Sequence, residues 1–509
     1  VENGIELTGI INADLTLYPN KQYIITENLV VAQGVTLTIK PGTKLKLAAN
    51  KSLVVAGTLN AIGKPDSLIW FTKSDLSSNW PHISIGYSAE FNMDYSVIEY
   101  GGTSNSTYKL LNGNNGSFGF IKNSILRYNN GYLELNGILL KNNNILDNFM
   151  ITQWITLVDN IGLGLLYRVN NFTNNNIVNN KHLNPYSTKS YAVRGIYNTI
   201  NINCLDNCIY GNGTEGENEK NIYAEHTGGN FSIVSLEPNY FGTINGEKIK
   251  RGILDFDDEA NYFYIDISNR LLKPSEENHG IVWKVLVNGA DAQDEYVEPV
   301  GVGLQRFDIY FNKAMDIAYT PMVTFGVRAP YTQQAVNENG SWSADSTIYT
   351  AYKTMQLFTG DGINRVRVAG ARDTDGFEIP IEDKRFEFLI DAAGSASTDF
   401  IATPGMGKVE LEWSYPEAVE DLLGYNLYRF QHITDTTFTT PLLLNPTLVL
   451  DTIYTDFEVL PETKYYYYYK ILRTNLAETD SSRIVNSIPL TAATGDANGD
   501  LAVNILDIT

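Results

Sequence analysis

The sequence predicts an all-β chain in which a β-solenoid is followed by two β-sandwich domains. Two observations in the first half support this: short alternating runs separated by glycine, and an asparagine-containing phrase that recurs along the chain. The second half changes to longer alternating runs joined by hairpin-type turns, which is typical of antiparallel sandwiches. At 509 residues the chain exceeds one ordinary domain, so we expect several separate cores.

From Tyr23 onward, the first half reads as short strands in which apolar and polar residues alternate. No run carries the period of about 3.6 residues that marks an amphipathic helix. Strands this short bury little surface alone, whereas coils stacked on one another share a continuous core. The side chains expected to face that core are Val35, Leu37, Ile39, Leu45, Leu47, Leu53 and Val55.

A recurring phrase marks successive coils further along the chain. Asparagine stands two residues before isoleucine in four pairs: Asn123 and Ile125, Asn143 and Ile145, Asn175 and Ile177, Asn207 and Ile209. The spacings of 20, 32 and 32 residues fit one coil in the first case and a coil with an inserted loop in the others. Inward asparagines of stacked coils can bond from coil to coil as a ladder. We therefore interpret the repeat as structural.

Three segments of the first half carry a family likeness. Residues 27–72 read ENLVVAQGVTLTIKPGTKLKLAAN followed by KSLVVAGTLNAIG and IWFT, residues 94–102 read DYSVIEYGG, and residues 239–242 read NYFG. These segments resemble right-handed parallel β-helix repeat proteins of secreted bacterial multidomain chains. The resemblance implies a right-handed parallel β-helix over residues 1–272.

A second style of sequence begins near Gly280. Runs such as IVWKVLVNG and KRFEFLIDA are joined by turn signals, with Asp361-Gly362 as a hairpin turn. The segment Phe311–Asp316, together with the later VAGARDTDG and FEFLID, resembles bacterial Ig-like domains of cell-surface proteins. The resemblance implies a β-sandwich over residues 280–393 that spaces or presents its neighbours.

Residues 399–490 follow a short polar linker and resemble a fibronectin type III domain. Trp413 and the run YNLYRF fit its strands B and C, and Val459–Tyr465 fits its Leu-x-Pro-x-x-x-Tyr turn, or tyrosine corner. Five tyrosines in a row then form a strand. Alternation predicts that Tyr465, Tyr467 and Tyr469 are buried, and that Tyr466 and Tyr468 are exposed.

The last residues place oxygen ligands at the spacing of a calcium loop. Positions 1, 3, 5, 7, 9 and 12 are Asp496, Asn498, Asp500, the backbone carbonyl of Ala502, Asn504 and Asp507. Such oxygen ligands suit Ca²⁺. Residues 495–509 resemble the first half of a type I dockerin repeat, which has Gly where this chain has Leu501. Because that Gly forms the sharp turn of the loop, we expect calcium binding to be weak.

Charge and cysteine content narrow the classes of partner. The net charge of −21 opposes binding to nucleic acid and to anionic lipid, while uncharged glycans and cations stay open as partners. No apolar run approaches the roughly 20 residues of a membrane helix. Cys204 and Cys208 lie four residues apart, about 13 Å along an extended strand, which favours two buried thiols over a disulfide.

No motif in the first half selects an active site. The five histidines lack HxxxH or HExxH spacing, which disfavours zinc. The acidic run at residues 255–259 is either a solvated segment or a surface cation site. Stacked coils could bring together two carboxylates of a glycoside hydrolase from among Glu99, Glu134, Asp147 and Asp159. The aromatic side chains that could stack on sugar rings are Trp80, Tyr87, Tyr108, Tyr128 and Tyr132.

The order of modules resembles secreted multidomain surface proteins of the Bacteroidetes type. That resemblance implies an extracellular or cell-surface location, type IX secretion, and O-glycosylation at Ser346, Thr436 and Thr452. The leading hypothesis is a noncatalytic surface or matrix protein whose β-helix presents a face to a polysaccharide or an extracellular protein, with sandwiches as spacers. Two alternatives stay open: a secreted polysaccharide lyase or glycoside hydrolase, and a self-assembling subunit of a filament or layer.

Overall fold

The computed structural model is an all-β chain in which a parallel β-helix precedes two antiparallel sandwiches, so the predicted fold class is confirmed. In the described part of the chain, no helix has the length and apolar character needed to cross a membrane. The structure describes residues 4–74, 78–102, 109–113, 116–135, 137–150, 166–167, 171–182, 193–194, 203–213, 221–224, 233–236, 238–295, 297–301, 303–355, 362–390, 400–414, 422–431, 439–473 and 482–491.

The β-helix consists of short strands and one α-helix, α1 (Gly246–Arg251), among its described residues. Its strands are β1 (Ile5–Ile11), β2 (Leu15–Leu17), β3 (Gln22–Val31), β4 (Thr36–Ile39), β5 (Lys44–Leu47), β6 (Leu53–Val55), β7 (Thr58–Ile62), β8 (Ile69–Lys73), β9 (Ile83–Ile85), β10 (Glu90–Asp94), β11 (Ser96–Glu99), β12 (Lys109–Gly113), β13 (Phe118–Lys122), β14 (Ile125–Arg127), β15 (Tyr132–Leu135), β16 (Ile138–Lys141), β17 (Asn144–Leu146), β18 (Phe149–Met150), β19 (Leu166–Tyr167), β20 (Asn171–Thr173), β21 (Asn176–Val178), β22 (Lys181–His182), β23 (Val193–Arg194), β24 (Asn203–Leu205), β25 (Cys208–Tyr210), β26 (Ile222–Tyr223), β27 (Ile233–Ser235), β28 (Ile253–Leu254) and β29 (Tyr264–Asp266).

Parallel pairing stacks these strands in rows along the axis of the β-helix. One row is the eight-stranded sheet from β2 to β24, and two further rows share a 17-stranded sheet because β1 and β3 run through both. The row formed by the start of β3 with β5, β8, β11, β14, β17, β21 and β25 is called here the lateral row. Its inward side chains are buried and in register: Leu45, Phe71, Ile98, Leu126, Ile145, Ile177 and Ile209.

The predicted core positions of the early coils are confirmed. Leu37, Ile39, Leu45, Leu47, Leu53 and Val55 are buried, and Val35 packs against the same core while remaining partly exposed. Alternation along each strand explains this result, because successive side chains of a strand point to opposite faces of the sheet.

The predicted asparagine ladder exists, but one member was misplaced. Asn143 donates to the Oδ1 of Asn175, Asn175 to Asn207, and Asn207 to Asn239, at 2.9 to 3.0 Å. Ile125 pairs with Asn144, so Ser124 holds the ladder position, and Asn123 lies one residue outside it. Because serine occupies the ladder position in this coil, the asparagine pattern in the sequence points to the neighbouring residue instead.

A second ladder, which sequence reasoning missed, runs five residues after the first from Asn129 to Asn212 and continues at Asn221. Its amides bond from coil to coil at 2.9 to 3.0 Å, and its members are Asn129, Asn148, Asn180, Asn212 and Asn221. The side chains of Asn129, Asn148, Asn180 and Asn212 also donate to backbone carbonyls, which satisfies these buried amide groups. The two ladders lie just before and just after strands β14, β17, β21 and β25 of the lateral row.

The first sandwich packs a five-stranded sheet against a four-stranded one. Its core contains the ring cluster of Phe307, Phe325 and Phe388. Asp361 of the predicted hairpin turn lies outside the described residues. The strands are β30 (Val282–Val287), β31 (Ala290–Asp291), β32 (Gly303–Phe311), β33 (Met322–Gly326), β34 (Gln334–Ala335), β35 (Glu338–Trp342), β36 (Ile348–Met355), β37 (Gly362–Ala369) and β38 (Glu387–Ile390).

The second sandwich has sheets of three and four strands around Trp413. The predicted tyrosine corner is present, since the hydroxyl of Tyr465 accepts the N–H of Leu460 at 3.0 Å. The strands are β39 (Ile401–Gly405), β40 (Lys408–Glu412), β41 (Leu422–Phe430), β42 (Leu442–Leu443), β43 (Ile453–Asp456), β44 (Tyr465–Arg473) and β45 (Val485–Ser487).

The tyrosine run follows the predicted alternation with one exception. Tyr465, Tyr467 and Tyr469 are buried as predicted, and Tyr468 is half-buried against Tyr428. Tyr466 was predicted to be exposed, and it is buried. It stacks on Phe430, and burial, followed by the charge of Glu387 in the first sandwich, raises its phenol pKa well above the ordinary value.

The first sandwich is docked on the outer face of the late coils. Leu146, Val178 and Tyr210 of the lateral row form an apolar cluster with Ile281 of the sandwich. Beside it, the buried guanidinium of Arg385 lies 4.1 Å from the ring of Tyr210, where it donates to Gly242, Val282 and Glu382. The sequence predicts a spacer, whereas the structure has this sandwich packed against the β-helix.

The two cysteines are free and buried, which confirms the prediction against a disulfide. Cys204 faces the core of the β-helix, and Cys208 faces the docked sandwich, where Asn278 donates to its sulfur at 3.2 Å. Burial raises the thiol pKa of Cys208 to about 12 and that of Cys204 still further.

Candidate functional site

The early coils of the lateral row carry a connected group of aromatic and charged side chains. Strand register places Lys44 beside Trp70, and Glu99 beside Arg127, on the outward face. Tyr100 and Tyr128 follow directly after their strands, at the turn. We call this group the lateral strip, and its members are Lys44, Trp70, Thr72, Lys73, Glu99, Tyr100, Arg127 and Tyr128.

Ring and cation contacts join the members of the strip to one another. The Nζ of Lys44 lies 5.4 Å from the ring centre of Trp70, and the Nζ of Lys73 lies 4.5 Å from that of Tyr100. The guanidinium of Arg127 lies between Trp70 and Tyr128, at 5.8 and 5.3 Å. These distances are within the range of cation–π attraction. The rings and cations of the strip therefore form one continuous surface.

The two tyrosines at the turn are held in a backbone conformation that is costly for an aromatic residue. Tyr100 has φ of +56° and Tyr128 has φ of +55°, in the left-handed region. That region costs a residue other than glycine roughly 1–2 kcal/mol. Their rings stack at 5.8 Å with an angle of 23° between the planes. Despite this backbone cost, the two rings lie stacked side by side at the surface.

An ion pair lies at the centre of the strip. The Oε2 of Glu99 accepts from the Nε and Nη2 of Arg127 at 3.2 and 3.1 Å, and its Oε1 accepts from the hydroxyl of Thr72 at 2.9 Å. Glu99 is buried and Arg127 is partly exposed. The carboxylate is therefore held by its neighbours, and it in turn fixes the position of the guanidinium.

Asp147 marks the boundary between the strip and the docked sandwich. It occupies the same turn position one coil beyond Tyr128, with φ of +50°. Burial raises its carboxyl pKa, while the charges of Lys384, Lys181 and Arg127 act in the opposite direction. Burial is also the largest cause of the raised phenol pKa of Tyr128, and the charge of Asp147 adds to it.

The structure describes three of the four carboxylates that are candidates for a hydrolase. Glu99 lies on the strip and Asp147 at its boundary. Glu134 lies on another row, where it forms a salt bridge of 2.8 Å with Lys109. Asp159 lies outside the described residues. Among the described residues, Glu99 and Asp147 are thus the only pair of these candidates that the fold brings to one surface.

Of the described aromatic side chains that were candidates for sugar stacking, some are buried in the core and others lie at the surface. Trp80 and Tyr132 are buried, so the expectation that they stack on sugar rings at the surface is wrong. Tyr87 is 74% exposed, Tyr128 is 39% exposed, and Tyr108 lies outside the described residues. Sequence reasoning missed Trp70 and Tyr100. For Trp70 the signal was available, since it alternates with the inward Ile69 and Phe71.

Of the two acidic segments, the structure describes the run at residues 255–259, and the predicted calcium loop stays a prediction. The ligands predicted at Asp496, Asn498, Asp500, Ala502, Asn504 and Asp507 lie outside the described residues. In the run 255–259, the ammonium of Lys250 already lies 2.9 Å from Asp255 and 3.2 Å from Asp257. Asp255 also accepts backbone N–H groups, so this cluster is structural.

His279, Asp373 and Asp375 form the described cluster whose spacing would fit a metal ion, within 4.8 Å of one another. Most of their ligand atoms already have partners, whereas the buried Nε2 of His279 has no hydrogen-bond partner. Nδ1 of His279 lies 3.1 Å from Oδ2 of Asp373, and Asp375 binds Lys313 at 2.8 Å. Asp373 also accepts the N–H groups of Gly280 and Phe377. Both carboxylates and Nδ1 of His279 are therefore engaged in an internal clamp, which leaves few free ligand atoms for a metal ion.

Comparisons with known proteins leave the interpretation to the chain's own geometry. No protein-family model matches the sequence, and no curated protein matches it. The FN1–FN3 domains of chicken CNTN1 are similar at 13% identity over 38% of this chain and 66% of that chain, just under two thirds, with a TM-score of 0.15. Titin domains A168–A170 are similar at 12% identity over 45% of this chain and 69% of that chain, with a TM-score of 0.16. Likeness this low carries no argument about function.

Proposed function

We propose that this chain is a noncatalytic extracellular or cell-surface protein whose lateral strip binds carbohydrate. The extracellular location rests on the resemblance of the modules to secreted surface proteins. The observation that supports binding most directly is the pair of parallel tyrosine rings at the surface, flanked by Trp70 and by cations. Flat aromatic faces with a polar edge suit pyranose rings, which have apolar faces and hydroxyl rims.

The strip has the composition of a recognition surface rather than of a core. Recognition surfaces are enriched in Trp, Tyr and Arg, the residue types that combine large contact area with hydrogen-bonding groups. Arg127 and Thr72 supply polar groups, and the rigid coils beneath them hold the side chains in place. A rigid platform reduces the entropy cost of binding.

Affinity electrophoresis in gels containing soluble polysaccharides, followed by a glycan array, tests the proposal. We expect retardation of the intact chain by at least one glycan, and loss of that retardation for Trp70→Ala and Tyr128→Ala. Tyr87→Ala is the matched control, because it removes an exposed ring away from the strip. Equal retardation of all three variants, or no glycan binding by the intact chain, would contradict the proposal.

Glycoside hydrolysis is the second candidate, and the position of Asp147 favours it. A carboxyl with a raised pKa suits a general acid, and the carboxylate of Glu99 lies two coils away, roughly 10 Å by strand spacing. The ion pair of Glu99 with Arg127 argues against a free nucleophile or base. Incubation of the bound glycan with the chain, with assays for new reducing ends and for unsaturated uronates, separates the two functions. Release of either product that Asp147→Asn abolishes would favour the enzyme.

A further inference from the structure

We propose that the lateral strip binds an acidic polysaccharide, with carboxylate or sulfate groups on its sugar units, lying along the axis of the β-helix. This inference rests on the proposed function, because it concerns the ligand class of the same strip. It departs from the net charge of −21, which by itself would favour uncharged glycans.

The strip is locally cationic on an acidic protein. It contains three basic side chains, Lys44, Lys73 and Arg127, and one carboxylate, Glu99. That carboxylate is buried, whereas Lys44 is exposed and Arg127 is partly exposed. An incoming ligand therefore meets the cations before it meets the carboxylate.

Two of the cations retain capacity to donate to a ligand. Arg127 uses its Nε and Nη2 on Glu99, and within the described residues its Nη1 donates no hydrogen bond. Lys44 lies over the ring of Trp70 and, in the described part of the chain, makes no salt bridge. Each cation thus lies beside an aromatic face. This arrangement allows one sugar unit to place its ring on the aromatic side chain and its anionic group on the neighbouring cation.

The spacing of the cations suits a charged polymer. Lys44, Lys73 and Arg127 come from β5, β8 and β14, so they lie on the first, second and fourth of four adjacent strands. Adjacent strands are about 4.8 Å apart, so the cations span about 14 Å along the axis. A chain with an anionic group on each sugar unit can meet several of them at once, whereas a single charged group can meet only one.

The ionic strength determines whether a bound anion responds mainly to the cations of the strip or also to the net negative charge of the whole protein. At physiological ionic strength the Debye length is about 8 Å, so a bound anion responds mainly to the strip. At 0.01 M salt the length is about 30 Å and the net negative charge repels the ligand, while at 1 M it is about 3 Å and the strip is screened as well. Affinity for an acidic polysaccharide should therefore be highest at intermediate salt, and affinity for a neutral one should change little.

The test compares matched polymers: dextran sulfate with dextran, and polygalacturonate with its carboxyl-reduced form, with poly-glutamate as a non-sugar polyanion. Binding to the intact chain is measured by calorimetry at 0.01, 0.15 and 1 M salt. We expect at least one acidic polysaccharide to bind best at 0.15 M, more tightly than its neutral partner and more tightly than poly-glutamate. The two acidic polymers distinguish sulfate from carboxylate recognition.

A variant pair assigns the binding to the strip. Lys44→Gln should weaken acidic polysaccharide binding about two- to fivefold, the effect of one partly exposed ion pair. Lys122→Gln is the matched control, because Lys122 also lies over a ring, that of Phe120, but on the eight-stranded sheet. It should leave binding unchanged.

Three results would overturn the inference. Equal binding of the neutral partners would refute acidic selectivity and leave carbohydrate binding in place. Equal binding of poly-glutamate would show a polyanion surface without sugar specificity, in favour of an acidic protein as partner. Absence of binding to every polysaccharide would overturn both the inference and the proposed function.

Discussion

The two halves of the lateral row have the same backbone and opposite surroundings. In one outward register the early coils carry Thr72, Glu99 and Arg127, which face solvent or one another. Further along the same register, Leu146 and Val178 lie beneath the docked sandwich. The backbone of a β-helix therefore offers a uniform surface, and the side chains decide which half is covered by its own chain and which half stays available to a ligand.

The turn position after each strand shows the same division. It is tyrosine at residues 100 and 128, and then Asp147, Asn179 and Gly211 in the covered half, all with positive φ. Asp, Asn and Gly adopt that conformation at low cost, and tyrosine does not. At this turn position, the covered half thus has residues that the backbone conformation favours, while the exposed half has tyrosine despite the cost. Strain of this kind is typical of functional surfaces.

The largest expected effect comes from a substitution that breaks the docking of the first sandwich on the covered half of the lateral row. Arg385→Met leaves Glu382 buried without its cation, which should lower the free energy of unfolding by about 3–5 kcal/mol. Chemical denaturation measures this loss, and small-angle scattering measures release of the sandwich. The double variant Glu382→Gln with Arg385→Met should recover part of the stability. Arg372→Met, which removes an exposed pair of the same sandwich, should cost less than about 1 kcal/mol, and an equal loss would contradict the assignment.

A smaller difference in stability is expected between substitutions at two residues of the same outward register, one in each half of the lateral row. Val178→Ala removes two methyl groups from the apolar cluster and should cost about 2 kcal/mol. Thr72→Ala, four coils away on the strip, removes one hydrogen bond to Glu99, whose ion pair with Arg127 remains, and should cost less, about 1 kcal/mol. Thermal denaturation of both variants compares them directly. Equal losses would mean that the strip is as deeply packed as the interface.

Two carboxylates should respond to pH in opposite directions. Burial alone would raise the pKa of Asp373, but hydrogen bonds from His279, Gly280 and Phe377 hold it below the ordinary value of 3.8. Its contribution to stability is thus present above pH 3.8 and is lost as pH falls through the lower folded-state pKa. The pKa of Asp147 is raised from 3.8, so its ionisation opposes folding above its folded-state pKa, and that penalty vanishes below 3.8.

Denaturant titrations of the two asparagine variants between pH 3 and pH 7 test this contrast. Asp373→Asn should be less stable than the parent at pH 7, with the difference shrinking toward pH 3. Asp147→Asn should be more stable than the parent at pH 7 and equal to it at pH 3. Parallel curves for the two variants would refute the assigned directions.

The smallest expected change in stability is at the strip itself. Tyr128→Asn relieves a strained backbone but loses ring contacts with Tyr100 and Arg127, and the two effects should cancel to within about 0.5 kcal/mol. Glycan binding should nevertheless be lost. A large loss of stability would show instead that the stacked rings serve folding.

The sequence alone predicts the class of the fold well, because alternation with a period of two identifies inward residues such as Leu45 and Leu53 without knowledge of the coils. It predicts the ladder at Asn143, Asn175 and Asn207 from the phrase that recurs along the chain. It fails at Asn123, since a coil shortened by one residue changes the register without changing the local pattern. Local periodicity is visible in a sequence, whereas the length of a coil is set by turns.

The strip and the interface were less accessible to sequence reasoning. Trp80 and Trp70 look alike in sequence, yet one is buried and donates to the carbonyl of Glu99, and the other lies on the strip. Tyr466 was placed at the surface because alternation within one domain takes no account of a neighbouring domain. Contacts between residues far apart in the chain, such as Arg385 with Tyr210, leave no periodic signal.

The labelling rates of the two buried thiols report two different opening motions of this molecule. Cys208 faces the docked sandwich, and Cys204 faces the inner core of the β-helix, only four residues away. A thiol with a raised pKa reacts with a maleimide only when its surroundings open and expose it to water. The labelling rate of Cys208 therefore reports undocking of the sandwich, and that of Cys204 reports unwinding of the coils. The rates of undocking and of unwinding can thus be measured separately in one chain, each through its own cysteine.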